Sequence, residues 1–243
     1  MVVDEENPDW KEEVTLNITN TFNVLNKDIS EAIGRNPGGV MAKSGTTATS
    51  LFVSENVIVI ANVGDSRAIL SVGASYVSSS ETSTSSYVQL TVDHVASNQT
   101  ERKRIEDRGG FVSTVGGTAR VNGSLAVSRS LGDIHLSSLL SRSPHVVVMS
   151  REEIKNQCSS KVFPYDGVIM PCFIVLASDG LWDVITNQEA VEIVEHVIKN
   201  FKLEASSSWE DGGAFQHAAQ ILTQEAYVRG STDNIGVCVV AIV

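Results

Sequence analysis

The order of the apolar segments constrains the fold of this chain more than any other feature of its sequence. Six segments have the length and composition of buried strands: TSLFV, VIVIANV, DSRAILSV, HVVVMS, FIVLAS and NIGVCVVAIV. Only Ser54-Glu55-Asn56 separates the first two, which predicts a β-hairpin. Strand segments are bunched in the first two thirds and do not alternate regularly with helices. This order favours an α+β layered protein over a doubly wound parallel sheet.

Four segments have helical patterns. Residues Val14 to Ile33 carry an apolar stripe at Ile18, Phe22, Leu25, Ile29 and Ile33. The segment NQTERKRIEDRGG is typical of a short charged helix closed by Gly109 and Gly110. Thr186 and Glu189 form a capping-box pattern ahead of an apolar face at Ala190, Val194, Val197, Ile198 and Phe201. A last helix is expected from about Ala214 to Tyr227, with Phe215, Ala218, Ala219, Leu222 and Ala226 on one face.

The domain organisation predicted from the sequence is simple. The 243 residues are within reach of one large domain. We expect residues 1–13 to form a polar N-terminal tail and residues 14–243 to form one domain. The Ser/Thr-rich stretch 75–88 is interpreted as a loop between strands whose role is left open. The stretch 151–171 is interpreted as an insertion on a second surface hairpin.

Composition limits the classes of partner and compartment. The formal net charge is −11 and the pI is about 4.9, which argues against a broad nucleic-acid or anionic-membrane interface. No apolar span is long enough for a membrane helix, and the N-terminus lacks the pattern of a signal peptide. Cys158, Cys172 and Cys238 form no C-x-x-C pair and predict free thiols in a reducing compartment. The expectation is therefore a cytoplasmic or nuclear monomer that binds neither nucleic acid nor membrane.

Acidic residues lie at the ends of several apolar segments. They are Asp65, Asp133, Asp179, Asp183 and Asp233. A buried carboxylate is costly unless it is paired or holds a cation. Taken singly, each of these residues also fits a turn or a helix cap. Taken together, they offer the oxygen ligands that Mg²⁺ and Mn²⁺ prefer, whereas no His/Cys cluster is present for zinc.

Several longer motifs carry a resemblance to a known family. They are SGTTATSLFV, ANVGDSRAIL, DHVASNQTERKRIEDRGGFV, ARVNGSLAVSRSLGD, FIVLASDGLWDVITNQEAVEIV and GSTDNIGVCVV. In this order and spacing they resemble the metal-dependent serine/threonine protein phosphatases of the 2C (PPM) type over residues 14–243. The resemblance implies a four-layer α-β-β-α sandwich, in which two antiparallel sheets are flanked by helices. Here that fold is expected to be N-terminally incomplete.

The resemblance also assigns residues to a metal site. Asp179 and Asp233 match ligands of one metal, and Asp65 and Asp183 match ligands of a weaker third metal. The implied cofactors are Mg²⁺ or Mn²⁺, two in number and up to three in the complete family site. Trp182 is interpreted as a packing residue rather than a substrate contact. The implied reaction is hydrolysis of phosphoserine or phosphothreonine in a phosphoprotein substrate by metal-activated water, without a covalent enzyme intermediate.

One part of the family pattern is not found in these 243 residues. In its N-terminal third the family carries a phosphate-binding Arg, then a Glu-Asp pair and further on an Asp-Gly-His-Gly-Gly motif, and this stretch does not occur here. No catalytic residue is therefore assigned, and we expect weak or no activity from this chain alone. Two interpretations stay open at this point. One is a protein phosphatase represented by most of its domain, and the other is a non-catalytic phosphatase-like module that binds proteins.

Overall fold

The fold is taken from a computed structural model of the chain. It describes residues 7–35, 43–75, 84–158, 161–162, 169–204 and 213–242. The helices are α1 (Trp10–Gly34), α2 (Gln99–Asp107), α3 (Arg151–Gln157), α4 (Asp179–Trp182), α5 (Asn187–Glu204) and α6 (Gly213–Val228). The strands are β1 (Gly45–Thr46), β2 (Ala48–Val53), β3 (Val57–Val63), β4 (Arg67–Ser75), β5 (Thr84–Gln89), β6 (Val112–Val115), β7 (Thr118–Val121), β8 (Leu131–Gly132), β9 (His145–Ser150), β10 (Lys161–Val162), β11 (Ile169–Met170), β12 (Cys172–Ala177) and β13 (Val237–Ile242).

The chain divides into two compact units. The first unit comprises Met1–Ser66 and Thr91–Met149, and the second comprises Arg67–Leu90 and Ser150–Val243. Each unit contains one larger sheet with helices packed on it. The predicted α+β class, with two antiparallel sheets flanked by helices, is confirmed. The prediction of one domain over residues 14–243 stays a prediction.

The larger sheet of the first unit has the order β2-β3-β9. The predicted β2–β3 hairpin is confirmed, with Ala48 opposite Val63 and Val53 opposite Ile58. Every residue of β3 is buried. Its alternate residues, from Val57 to Val63, pack against the apolar stripe of α1. A run buried along its whole length explains why β3 has no polar alternation in the sequence.

Helix α1 departs from its predicted pattern in two ways. It begins at Trp10, four residues before the expected boundary at Val14. Its buried positions are Val14, Ile18, Phe22 and Ile33, whereas Leu25 is 45% exposed. The expectation that Leu25 lies on the buried face is therefore wrong. Residues 1–6 of the predicted tail lie outside the described part of the chain.

The second unit is built on the antiparallel sheet β13-β12-β4-β5. Phe173, Val175 and Ala177 of β12 pack with the apolar faces of α5 and α6. The predicted capping box of α5 is confirmed, because Glu189 N donates to Thr186 Oγ1 and Thr186 N donates to Glu189 Oε2. Both helices therefore lie where their sequence patterns predict.

Two interpretations of surface segments need correction. Residues 84–89 form strand β5 rather than loop, and residues 76–83 lie outside the described part of the chain. The stretch 151–171 contains helix α3 and the short β10–β11 pair, and its interpretation as an insertion stays a prediction. Cys158 and Cys172 form a disulfide across a separation of 14 residues, and only Cys238 is free. The expectation of free thiols at Cys158 and Cys172 is therefore wrong, because the folded chain brings the end of α3 back to the start of β12.

Among the described residues, no helix is both long enough and apolar enough to cross a membrane.

Candidate functional site

The candidate site of the second unit lies where β12 ends and β13 begins. The two strands are antiparallel neighbours, with Ala177 opposite Val237. The segments that follow Ala177 and precede Val237 therefore meet at the same edge of the sheet. Ser178 N donates to Gly236 O at 3.0 Å, and Ser178 Oγ donates to Asn234 O at 2.9 Å. This pairing brings Asp179 and Asp233 together although they are far apart in the sequence.

Gly180 allows the two segments to approach closely. A β carbon at this position would collide with the carbonyl oxygen of Asn234 and lie 3.0 Å from its carbonyl carbon. The carbonyl of Gly180 accepts a hydrogen bond from Ser231 Oγ at 2.6 Å. Backbone contact of this kind requires glycine for a steric reason rather than a conformational one. The glycine of the Ser-Asp-Gly motif is thus explained by the backbone of Asn234, which lies against it.

Asp179 is the acid of this site whose carboxyl pKa is raised. It is half-buried, and the pKa of its carboxyl group is raised by burial first, then by the negative charges of Asp233 and Asp183. Asp183 follows one helical turn later, and its N–H donates to Asp179 O at 2.9 Å. The carboxylates of Asp233 and Asp183 therefore each lie close enough to repel that of Asp179. Such a cluster is stabilised when a cation binds to it.

Asp233 and Asp183 are both exposed. Asp233 also lines an open groove of about 710 Å³ beside α6, with Gln220, Thr223 and Gln224 on the facing helix. Its carboxylate is accessible to a dissolved ion from this side.

The fit to a metal ion is chemical rather than geometrical. Within the described ranges, no three His, Cys, Asp or Glu side chains are close enough together to form a ready coordination group. The donors at this edge of the sheet are nevertheless carboxylates, which are the ligands that Mg²⁺ and Mn²⁺ prefer. The residues therefore fit a hard divalent cation in type, and their side chains would have to close around it.

Asp65 belongs to the first unit. It lies in the turn after β3, beside the buried Gly64, whose φ is +105°. Thr47 Oγ1 and Ser66 Oγ lie 3.3 Å apart across this turn. The predicted assignment of Asp65, Asp179, Asp183 and Asp233 as metal ligands stays a prediction.

Asp133 is one of the acids that the sequence offers as possible cation ligands, but in the structure its carboxylate contacts neighbouring residues of the same unit. It is only 5% exposed, and Ser130 Oγ donates to its Oδ2 at 2.7 Å. Its carboxylate fills the space that a β carbon of Gly45 would need. Arg142 donates to the carbonyls of Ser130 and Gly132 on the same segment. These contacts account for the burial of Asp133 without a ligand.

Trp182 supports the structure of the second unit. Its Nε1 donates to Ala177 O at 3.0 Å, and the guanidinium of Arg67 lies 5.2 Å from the ring centroid. Nη1 of the same guanidinium donates to Asn187 Oδ1 at 2.7 Å. The ring packs against the core of this unit. These contacts agree with the interpretation of Trp182 as a packing residue.

A buried polar cluster in the first unit was missed by sequence reasoning. Glu101 is 2% exposed and accepts hydrogen bonds from Arg104, Ser128 and Arg129. Burial raises the pKa of Glu101, but the bonds from Arg129, Ser128 and Arg104 outweigh it and lower the pKa to about 2. His94 lies in the same unit and is fully buried. Glu101 stands in a highly charged helix, so no sequence pattern marks it as buried.

The sequence of this chain is similar to those of known proteins. A family model described as protein phosphatase 2C matches residues 5–159 and 169–235. Probable protein phosphatase 2C 44 from Oryza sativa subsp. japonica is 38% identical over 229 residues, which cover 92% of this chain and 55% of the relative. Probable protein phosphatase 2C 9 from Arabidopsis thaliana is 39% identical over 202 residues, with coverage of 82% and 56%. The chain spans about half the length of these curated relatives.

Solved structures give a likeness of fold. Serine-threonine phosphatase 2C from Toxoplasma gondii has a TM-score of 0.69 at 20% identity, covering 99% of this chain and 72% of that one. A C. elegans sex determining protein has a TM-score of 0.67 at 22% identity, covering 92% and 45%. At these identities the likeness shows the shared fold alone.

Proposed function

Since this chain belongs to the protein phosphatase 2C family, we propose that it is part of an enzyme that hydrolyses phosphoserine and phosphothreonine in proteins with the help of Mg²⁺ or Mn²⁺. The observation that carries the proposal is the convergence of Asp183 and Asp233 on Asp179 at one sheet edge, where burial first, and then the charges of Asp233 and Asp183, raise the pKa of Asp179. Such repulsion is costly unless a cation offsets it. The proposed substrate is a phosphoprotein.

The residues of the second unit would have distinct tasks. Asp179 and Asp233 would hold one cation from the two strand ends, and Asp183, one helical turn after Asp179, would serve a weaker neighbouring site. The assignment of Asp65, in the first unit, as a ligand of a divalent cation is a separate proposal that rests on the resemblance alone. When bound, Mg²⁺ or Mn²⁺ lowers the pKa of water and offsets negative charge on a phosphoryl group. Gly180 and Ser178 keep the two segments at the distance that the carboxylates need, through the contacts described above.

Thermal melting with millimolar Mn²⁺ tests the metal part of the proposal. A ligand that binds only the folded state raises the melting temperature. Because Asp233 and Asp183 repel Asp179, Mn²⁺ should stabilise the native chain, and it should do so more than Mg²⁺. Asp179→Asn should remove most of this response. Asp107→Asn is the matched control, since Asp107 lies on the exposed face of α2 and pairs with Lys103.

The outcomes separate the interpretations. A response that is lost in Asp179→Asn and kept in Asp107→Asn supports a metal site at these acids. An equal response in all three proteins, or none in any, contradicts it and favours the non-catalytic module. The proposed compartment is the cytoplasm or nucleus.

A further inference from the structure

Strand β13 is the outermost strand of the sheet β13-β12-β4-β5. Because it pairs with β12 as an antiparallel neighbour, alternate residues of β13 direct their N–H and C=O groups away from β12. Among the described strands, none pairs with this outer edge. An edge of this kind offers a row of hydrogen-bonding groups to another strand.

The two edges of this sheet differ in their protection against further pairing. On one edge, β5 has four polar residues among its six, and its pairing with β4 shifts register between Ser71 and Gly73. Irregular pairing at an edge discourages the addition of another strand. On the other edge, β13 has the sequence VCVVAI, which contains no charge and no proline, and its register with β12 is regular throughout. Strand β13 therefore has the composition of an interior strand at an edge position.

The groove beside β13 is nearly free of charge. It is lined by Gln220, Thr223 and Tyr227 of α6 and by Val237 of β13. Of the ten described residues that line it, Asp233 alone is charged. The formal net charge of the chain is −11, so two copies repel each other over most of their surfaces. The neutral edge is the place where two such chains meet with the least repulsion.

The side chains at this edge are those that protein interfaces favour. Tyr227 is 74% exposed in the groove, and aromatic residues are enriched in interfaces whereas charged residues are depleted from their centres. Val237, Val239 and Ala241 face the core that β13 shares with α5 and α6, and they are only partly buried. A further strand at this edge would complete their burial.

We propose that two copies of this chain associate through β13, edge to edge and antiparallel about a two-fold axis, so that the sheets of their second units join into one. Such an interface is complementary to itself, because the same strand supplies the donors and the acceptors on both sides. The proposal departs from the monomer that the sequence predicts, because the sequence alone does not show that β13 lies at an edge.

The pleat restricts the register of this pairing. Residues directly opposite each other in an antiparallel pair lie on the same face of the sheet. The two-fold axis therefore passes between two copies of one residue, and the pairing that uses most of β13 is centred on Val239. Cys238 is then opposite Val240 of the partner subunit. The α6 helices of both copies lie on the same face of the joined sheet.

Charged substitutions at Cys238 test the proposal, because Cys238 is exposed and lies beside the expected axis. Cys238→Lys and Cys238→Asp each place like charges on the two copies within reach of one another, since diagonal neighbours across a strand pair are about 7–8 Å apart. Cys238→Ser is the matched control, because it keeps the size and neutrality of the side chain and excludes a disulfide between copies. Analytical ultracentrifugation over a range of concentrations measures the mass of each protein.

The native chain and Cys238→Ser should both form a dimer. Its dissociation constant should fall as salt is added, because salt screens the repulsion between two acidic chains. Cys238→Lys and Cys238→Asp should each weaken association by at least about 10-fold, and an equimolar mixture of the two should restore the dimer. A native chain that stays monomeric at every concentration overturns the proposal. A dimer that both charged variants retain overturns it as well, because the copies then meet through another surface.

Hydrogen exchange of the native chain gives a test that needs no variant and holds if the charged variants do not fold. The amides of β13 that point away from β12 should gain protection as the protein concentration rises. The amides at the outer edge of β5 should show no such change. Protection that rises at β5 and not at β13 overturns the proposal.

Discussion

At the scale of single residues, the folded structure limits which amino acid can occupy the positions of Gly180 and Glu101, and it does so for two different reasons. Gly180 is restricted by a backbone that lies where its side chain would be. Glu101 is restricted by charge, because three donors surround its carboxylate in a buried place. Both restrictions require the tertiary structure. Asn234 is far from Gly180 in the sequence, and Arg129 and Ser128 are far from Glu101.

Replacing Gly180 by alanine tests the first restriction. Alanine is favoured over glycine in a helix by up to about 1 kcal/mol, but the collision with Asn234 O requires the two segments to separate. Overpacking of this kind costs about 1–3 kcal/mol, so we expect net destabilisation and a smaller response to Mn²⁺. Gly236→Ala is the control, because its β carbon would lie 3.8 Å from Ser178 Oγ. Equal melting temperatures for both variants would show that the close approach is not required.

Acid should destabilise the first unit in two stages. The pKa of His94 is about 4 in the folded chain and 6.5 when unperturbed, so the unfolded state binds the proton first and stability falls from pH 6.5 to about 4. The pKa of Glu101 is about 2 against 4.5, so its contribution is present above pH 4.5 and is lost as pH falls towards 2. Each stage is worth about 3 kcal/mol. Urea unfolding across this range measures both. His94→Asn should remove most of the first stage and leave the second, since burial also lowers the pKa of His145.

At the scale of elements, periodicity predicted the long segments well. The β2–β3 hairpin and helices α5 and α6 combine a clear apolar face with a turn or cap signal. Strand β5 was missed because its Thr84–Gln89 sequence is rich in serine and threonine. The strand is held by its backbone pairing with β4, which the sequence of β5 does not reveal. The Cys158–Cys172 disulfide was missed for a similar reason, since chain folding brings the two residues together. Sequence spacing alone contains no such information.

A thiol count tests the disulfide. In the chain denatured without reductant, we expect one reactive thiol, from Cys238, and three after reduction. Cys238→Ser should give none before reduction. A disulfide that closes a loop of this size contributes about 3 kcal/mol in the chain-entropy description, so reduction should also lower the melting temperature. Three thiols before reduction would mean that the bond does not form under the conditions of purification.

At the scale of the whole molecule, family and fold were both predictable, but the candidate site was predictable only in part. The sequence motifs predicted that Asp179 and Asp233 come together, and the antiparallel β12–β13 pairing explains why they do. The same motifs give no indication of the hydrogen bond from Gly64 N to Nδ1 of His94, which lies 30 residues away in the sequence. Contacts between residues this far apart in the sequence arise from tertiary packing, which short sequence motifs do not describe.

The activity of the purified 243-residue chain is the last prediction. Its sequence contains the four proposed metal ligands but no Asp-Gly-His-Gly-Gly motif, and the resemblance assigns to that motif the carboxylate shared by two metals. Catalysis that depends on a shaped metal site typically loses about 10²–10³-fold when one stabilising group is removed. We therefore expect turnover of a phosphothreonine peptide with Mn²⁺ to be at least about 100-fold slower than for a full-length family member measured in parallel. Asp179→Asn is the control for any residual rate. Rapid Mn²⁺-dependent turnover that disappears in Asp179→Asn would contradict the prediction, and it would show that these acids suffice for catalysis without the shared carboxylate.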